Sequence, residues 1–476
     1  MSVLRVVNWE LRLRNSYTAV PFQYGAAKLT ACPQALLMVT TEYDGSVQTG
    51  YSADCLPPLW FDKSPNQSYR EQIQNMVNAV EASAKKSTEL SECNNPLDLA
   101  LALGGTIHEE LEQPPLLKSF GDSMVERAVI DGSCRLHKAT FSDLITQNII
   151  CDDRKIKLIT DQGRVIHSGI WNRDERHERI AVRHTIGLGD SVAEEVDRGD
   201  MRLGDIAKRD GLRYFKVKVA NRGQADVQRV LMIAMSIENA VGLNYQITLD
   251  GNEQFSSFGQ FNEFFKELCS CPDLEKFVSR IIAVEQPLHR SYALDGDAVE
   301  GLEEFSQNIP VIIDESDEAW NSFANAVEVG YTGTSSKGCK GIFKALCNRA
   351  QIDSLQREHS DRSFLLTGED LCCLGPVALQ SDLCVVSFMG LEHVERNGHH
   401  YFNGLDYLPN TSFPEIMRAH EDLYEYRNDI PVLRIRDGEI SLLSINANGF
   451  GCAMVPAWEF YTPHEEWDYE SLGIPC

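Results

Sequence analysis

Hydrophobic and polar positions along this chain fall into two rhythms. In the first, Leu36-Leu-Met-Val-Thr-Thr-Glu-Tyr-Asp-Gly45 is an apolar run closed by an Asp-Gly turn and continued by Val47-Gln-Thr-Gly50. That pattern predicts a β-hairpin. Ile73, Met76, Val77 and Val80 recur at helical spacing within 68–86. Strands followed by helices predict a separate α+β domain over 1–135.

The second rhythm starts near residue 178, where short apolar runs alternate with amphipathic stretches. The runs lie at 180–186, 214–219, 245–250, 281–285, 310–314, 330–335, 363–367 and 384–388. The clearest intervening helix is 225–241, with Val230, Ile233, Ala234 and Ile237 on one face. Buried strands alternating with helices indicate a parallel sheet. Eight of them favour closure into a (β/α)8 barrel over 136–424, with an open doubly wound sheet as the alternative. Another hairpin-like stretch, around 430–438, belongs to a C-terminal segment, 425–476, expected to return to the first domain.

Length agrees with this division, since 476 residues exceed one barrel of about 250 by enough for a smaller partner domain. A net charge of −26 argues against nucleic acid as a partner, because a polyanion is bound by a basic surface. No apolar run approaches the ~20 residues of a membrane span, and the N-terminus lacks the features of a signal peptide. A cytoplasmic location is expected, with no membrane partner. Fourteen cysteines include no Cys-x-x-Cys, so they are read as reduced thiols rather than as a disulfide framework or zinc site.

The candidate chemistry sits where the apolar runs stop, the catalytic face of a barrel. Three consecutive runs end in Asp250, Glu285 and Asp314. An acid at a strand end commonly caps the next helix, but three on neighbouring strands would repel one another and call for a cation. Oxygen ligands favour a hard ion, Mg²⁺ first and Mn²⁺ second. On the preceding strand Lys216 and Lys218 share one face, and crowding of like charge would lower a lysine pKa enough for it to act as a base. On the following strand comes Lys337, with Lys340 expected to open the next helix. The order lysine, acid, acid, acid, lysine suits proton removal beside a carboxylate, with a cation offsetting the developing charge.

At these residues the sequence resembles the enolase superfamily, in its mandelate racemase and muconate lactonizing branch. The matching motifs are Lys216-Val-Lys218, Asp250-Gly-Asn252, Glu285-Gln-Pro287, Asp314-Glu-Ser316 and Lys337, while Pro21-Phe-Gln-Tyr-Gly25 is similar to that family's capping loop. The resemblance implies that Asp250, Glu285 and Asp314 hold Mg²⁺ and that Lys218 and Lys337 are the acid–base pair. It further implies that Lys216 binds the substrate carboxylate, that Asn252 and Glu315 support the ligands, and that Tyr24 and Trp60 are candidate substrate contacts. A homo-oligomer, dimer or octamer, acting on a small-molecule carboxylate is the expectation that goes with it.

Two departures stand out. The interval from Asp250 to Glu285 is long, which a lengthened helix over 258–278 would explain. The last strands match no subgroup signature: Glu369 and Asp370 occupy the place of mandelate racemase's histidine base, and no Asp-x-Asp appears near the eighth strand. His399 and His400, in a loop past the last strand, are candidates to touch substrate or to act as an acid for a leaving hydroxyl, or else surface or loop anchors, and Glu395 and Asn397 are candidate substrate-orienting groups. Racemisation or epimerisation fits paired lysines best, with acid-sugar dehydration and cycloisomerisation as alternatives on the same scaffold. A barrel that only binds and a divalent-metal hydrolase using His184 are readings from other classes.

Overall fold

The computed structural model describes residues 3–64, 66–105, 113–151, 177–192 and 202–474. Strands β1 (Leu4–Tyr24), β2 (Ala27–Tyr43) and β3 (Ser46–Cys55) form an antiparallel sheet. Asp44 and Gly45 both take positive φ, 48° and 80°, the geometry that lets a two-residue turn follow the strand twist. Helix α1 (Tyr69–Glu89) starts at a capping box of Ser68 and Glu71 and buries Ile73, Met76, Val77 and Val80, as their spacing predicts. After α2 (Pro96–Gly104), α3 (Pro115–His137) lies across the sheet. It approaches β3 so closely that a Cβ on Gly50 would sit 2.1 Å from the carbonyl oxygen of Ala128.

Eight parallel strands follow. They are β4 (Arg179–Ile186), β5 (Tyr214–Lys218), β6 (Gln246–Asp250), β7 (Ile281–Glu285), β8 (Val311–Ile313), β9 (Gly333–Ser336), β10 (Leu365–Gly368) and β11 (His393–Arg396). They pair in sequence order, and β11 pairs with β4, so the sheet closes into a barrel rather than staying open. The long interval after Asp250 holds a helix over Phe258–Ser270, a 3₁₀ turn over Pro272–Leu274 and a short helix over Glu275–Val278.

One expected strand is a helix. Cys384–Phe388 ends the helix Ala378–Phe388, every residue of which is buried, and the eighth strand is His393–Arg396 instead. A segment apolar on all faces has no period to separate helix from strand. Beyond the barrel, Glu439–Ser441 adds antiparallel to β4, while Thr462–Pro463 pairs with β1. The C-terminal segment therefore touches both units. Among the described residues no helix is long and apolar enough to cross a membrane.

Candidate active site

Side chains on a strand alternate between faces. On β5 this turns Phe215 outward, against the rings of His184 and Tyr245, and sends Lys216 and Lys218 into the barrel. Asp250 and Glu285 close their strands, and Asp314, Lys337 and Glu369 directly follow theirs. None of these side chains is more than 6% exposed. The expected row of lysine, three acids and lysine is thus assembled around the barrel mouth.

The three acids are not bare. Lys218 Nζ donates to Asp250 Oδ2 at 2.7 Å, and Lys337 Nζ donates to Asp314 Oδ2 at 2.5 Å. Lys216 Nζ stands among Glu285 Oε1 (2.7 Å), Glu369 Oε2 (2.8 Å), Asp250 Oδ2 (3.1 Å) and Glu395 Oε2 (3.3 Å). Burial opposes its charge, but these four carboxylates outweigh burial and hold its pKa well above the ordinary lysine value. Lys337 is also raised, burial being overcome by Asp314. The expectation that like-charge crowding lowers a lysine of the Lys216–Lys218 pair is therefore wrong for Lys216, where the effect of four carboxylates outweighs that of the neighbouring lysine. Nor has Lys216 a donor to spare for a substrate while four acids engage it.

Among the described residues no three acid, histidine or cysteine side chains converge as they stand on a point suited to an ion, because ammonium groups lie between them. The donor set nonetheless suits a hard divalent cation. Asp250, Glu285 and Asp314 offer oxygen alone, and Glu285 Oε2 is buried without a hydrogen-bond partner. Burial, then Glu369 and the neighbouring Asp250 and Asp314, push the Glu285 carboxyl well above its ordinary value against the pull of Lys216.

The supporting residues explain two of the motifs. Gln286 Oε1 accepts the backbone N–H groups of Asp314 (2.8 Å) and Ser316 (3.1 Å), and its Nε2 donates to Ser316 Oγ at 2.8 Å. The Glu-Gln-Pro glutamine thereby fixes the turn that presents the third acid. Asn252 Nδ2 donates to Glu315 Oε1 at 2.9 Å, and its backbone N–H donates to Asp250 Oδ1 at 2.7 Å. Glu315 is raised to about 7 by burial and by Glu253 and Asp314.

A small cavity lies over the row, walled by Phe22, Tyr24, Pro57 and Trp60 from the N-terminal unit. The Trp60 ring covers Lys337 Nζ, 4.4 Å from its centroid. Tyr24 lines the same space, but its hydroxyl donates to the Pro58 carbonyl at 2.7 Å. Arg290, beyond β7, holds this cover down by donating to the carbonyls of Trp60 (2.7 Å) and Phe61 (3.0 Å) while paired with Glu253.

Glu395 is on the eighth strand itself. It points inward, accepting from Thr185 Oγ1 and from the Asp370 backbone N–H at 3.0 Å, and it lines the cavity with Asn397 and Asp370. His399 and His400 do not join the site. The short helix Gly398–Tyr401 packs them against His184, with His399 Nε2 3.2 Å from His184 Nδ1. His184 alternates with the inward Arg183 and Thr185, so this trio lies behind the barrel wall. That position also removes His184 as a ligand for a metal at the acids.

Two residues join the site unexpectedly, Lys340, which was expected to open the next helix, and Arg183. Lys340 reaches back from a 3₁₀ turn to Ser335 Oγ (2.7 Å) and Asp314 Oδ1 (3.3 Å). Arg183 pairs with Glu369 beneath Lys216. Ser335 and Lys337, two apart at a strand end, were the available signal for the first. The second shows in no local pattern.

No protein-family model matches the sequence, and no curated protein does. Solved structures do. An enolase from Bradyrhizobium, complexed with magnesium and mandelic acid, has a TM-score of 0.58 at 15% identity, over 96% of both chains. A 2-chloromuconate cycloisomerase from Rhodococcus opacus 1CP has 0.56 at 14%, over 97% of this chain and 98% of that one. The L-Ala-D/L-Glu epimerase from Bacillus subtilis has 0.55 at 12%, over 92% and 98%. At such identities the likeness concerns architecture, and it runs through cap and barrel alike. The chain has the fold that these enolase-superfamily structures share, a closed parallel barrel with an N-terminal antiparallel domain.

Proposed function

We propose that this protein removes the proton beside a carboxylate in a Mg²⁺-dependent reaction, and that the net outcome is racemisation or epimerisation of a small carboxylic acid. The observation that carries this reading is the placing of Lys218 and Lys337 at the two ends of the row Asp250, Glu285, Asp314, with one cavity between them. Enzymes of the same fold include an epimerase and a cycloisomerase, and one is solved with magnesium.

Asp250, Glu285 and Asp314 would hold the ion. Bound there, it supplies positive charge against the negative charge that develops on the substrate carboxylate. Lys337, kept protonated by Asp314, delivers a proton to one face of the α-carbon, and Lys218 accepts one from the other. In the reverse direction the roles exchange. Phe22, Tyr24 and Trp60 exclude water from the reacting carbon, and Glu395 and Asn397 orient the substrate from the eighth strand. Loss of a β-hydroxyl or ring closure would begin with the same proton removal. A cytoplasmic homo-oligomer, dimer or octamer, belongs to the same proposal.

The test is ¹H NMR of hydroxy acids, sugar acids and amino-acid derivatives in D₂O with Mg²⁺. Deuterium should enter beside the carboxylate of a substrate, and new resonances would reveal dehydration or cyclisation. Absence of exchange across the panel, together with no retained Mg²⁺, would turn the reading to a barrel that only binds.

A further inference from the structure

Two cysteines of the cap stand closer than the rest of the sheet requires. Cys55 ends β3 and is paired with Gln34 of β2, and Cys32 is two residues before Gln34 on the same strand. Residues two apart share a face, so both thiols project to one side of the sheet. Their sulfurs are 2.8 Å apart, and both side chains are fully buried. That separation is a small side-chain rotation from the ~2.05 Å of a covalent bond.

Their place in the fold gives the pair a consequence. Cys55 leads directly into the loop that carries Pro57 and Trp60 over the cavity. Beyond the strand ladder, the root of that loop is held to β2 by a backbone hydrogen bond from Leu56 N–H to the Pro33 carbonyl at 3.0 Å. A bond between the sulfurs would tie the same two strands covalently, next to the residues that cover Lys337. Burial, and then the adjacent Cys32, pushes the Cys55 thiol well above its ordinary pKa, so at rest Cys55 is a neutral thiol. Cys372 also lines the cavity, and burial and then the nearby Cys55 raise its thiol, which makes it the competing partner.

We propose that Cys32 and Cys55 are a reversible dithiol–disulfide site that fixes the root of the loop over the active cavity. The oxidant is a low-molecular-weight disulfide. The thiolate of one cysteine attacks it, a mixed disulfide forms and one small thiol leaves. The second cysteine's thiolate then attacks the protein sulfur of that mixed disulfide, the Cys32–Cys55 bond forms and the second small thiol leaves. Two cysteine thiols lose two protons and two electrons, and the reagent disulfide is reduced to two thiols. Because both sulfurs are buried, exchange waits on opening of the strand end. Formation is slow, and the finished bond is protected.

The experiment equilibrates the full chain in glutathione buffers from reducing to oxidising, then traps free thiols by alkylation and maps peptides by mass spectrometry. In the oxidised sample a Cys32–Cys55 linked peptide appears, the intact mass falls by two hydrogens and Tm rises by about 3 °C, as expected for closing a short loop in a chain of this size. A phosphine reductant reverses all three. Cys32→Ser and Cys55→Ser each abolish the linked peptide, and Cys372→Ser leaves it. A Cys55–Cys372 peptide in its place would overturn the assignment. So would absence of the Cys32–Cys55 peptide after refolding in the oxidising buffer, where burial no longer protects the thiols. The readout is a crosslink, so it stands or fails independently of the catalytic reading.

Discussion

At the scale of single residues, charge pairing governs the site. Arg183, Lys216, Lys218, Lys337 and Lys340 are set against Asp250, Glu285, Asp314, Glu369 and Glu395, all buried. A buried charge survives only when paired, so each group here depends on partners from other strands. Lys218→Ala and Lys337→Ala should each lower deuterium exchange by at least about 100-fold while the protein stays folded, the usual contribution of a positioned acid or base. Trp60→Leu removes the ring over the Lys337 ammonium, and the exchange rate should fall about tenfold, in line with roughly 1–2 kcal/mol for a desolvated cation–π contact. Gln286→Leu strands two buried N–H groups, those of Asp314 and Ser316. Denaturant titration should show a loss of about 2–6 kcal/mol, from roughly 1–3 for each orphaned donor.

At the scale of elements, close approach and capping hold the cap on the barrel. Glu126 of α3 accepts the N–H of Phe343 at 2.7 Å, at the start of the barrel helix Ile342–Glu358. Burial pushes its carboxyl up from 4.5 to about 7 despite that bond. A raised acid binds its proton more tightly in the folded than in the unfolded chain. Its contribution is therefore full below about pH 4.5 and is lost as pH rises towards 7, by about 3 kcal/mol. Glu126→Gln keeps the acceptor and removes the titration. Chemical denaturation at pH 5 and pH 8 should show a smaller decline than in the wild type. Gly50→Ala would force β3 away from α3, and its Tm should drop through an overpacking cost of roughly 1–3 kcal/mol or more.

At the scale of the whole molecule, an ion that binds only the folded site stabilises it by mass action. At 100 times its dissociation constant Mg²⁺ should contribute about 2.7 kcal/mol, a rise in Tm of roughly 3 °C for a chain this long. Potassium at matched ionic strength separates this from plain screening of the net charge of −26. Asp314→Asn should abolish the Mg²⁺-specific part. Equal shifts in wild type and variant would remove the metal from the proposed site.

Much of this architecture was legible in the chain because its causes are local. The Asp44-Gly45 turn, the Ser68 capping box and the stripe of Ile73, Met76, Val77 and Val80 act over a few residues, and the structure has each of them. Seven barrel strands fall where the apolar runs predict, and the acids and lysines close successive strands. What sequence could not supply depends on closure. Only when β11 pairs with β4 does Glu395 come to face Thr185 and Lys216, and only then does Arg183 lie beneath Glu369. The same closure turns His184, His399 and His400 to the outside of the wall. The eighth strand itself was hidden by a helix that is buried on every side. Sequence alone determined which side chains stand at the ends of which strands, since strand period and turn chemistry are properties of neighbouring residues. Tertiary structure alone decided which charges meet, because partners such as Arg183 and Glu369, 186 positions apart, touch only after the barrel has closed.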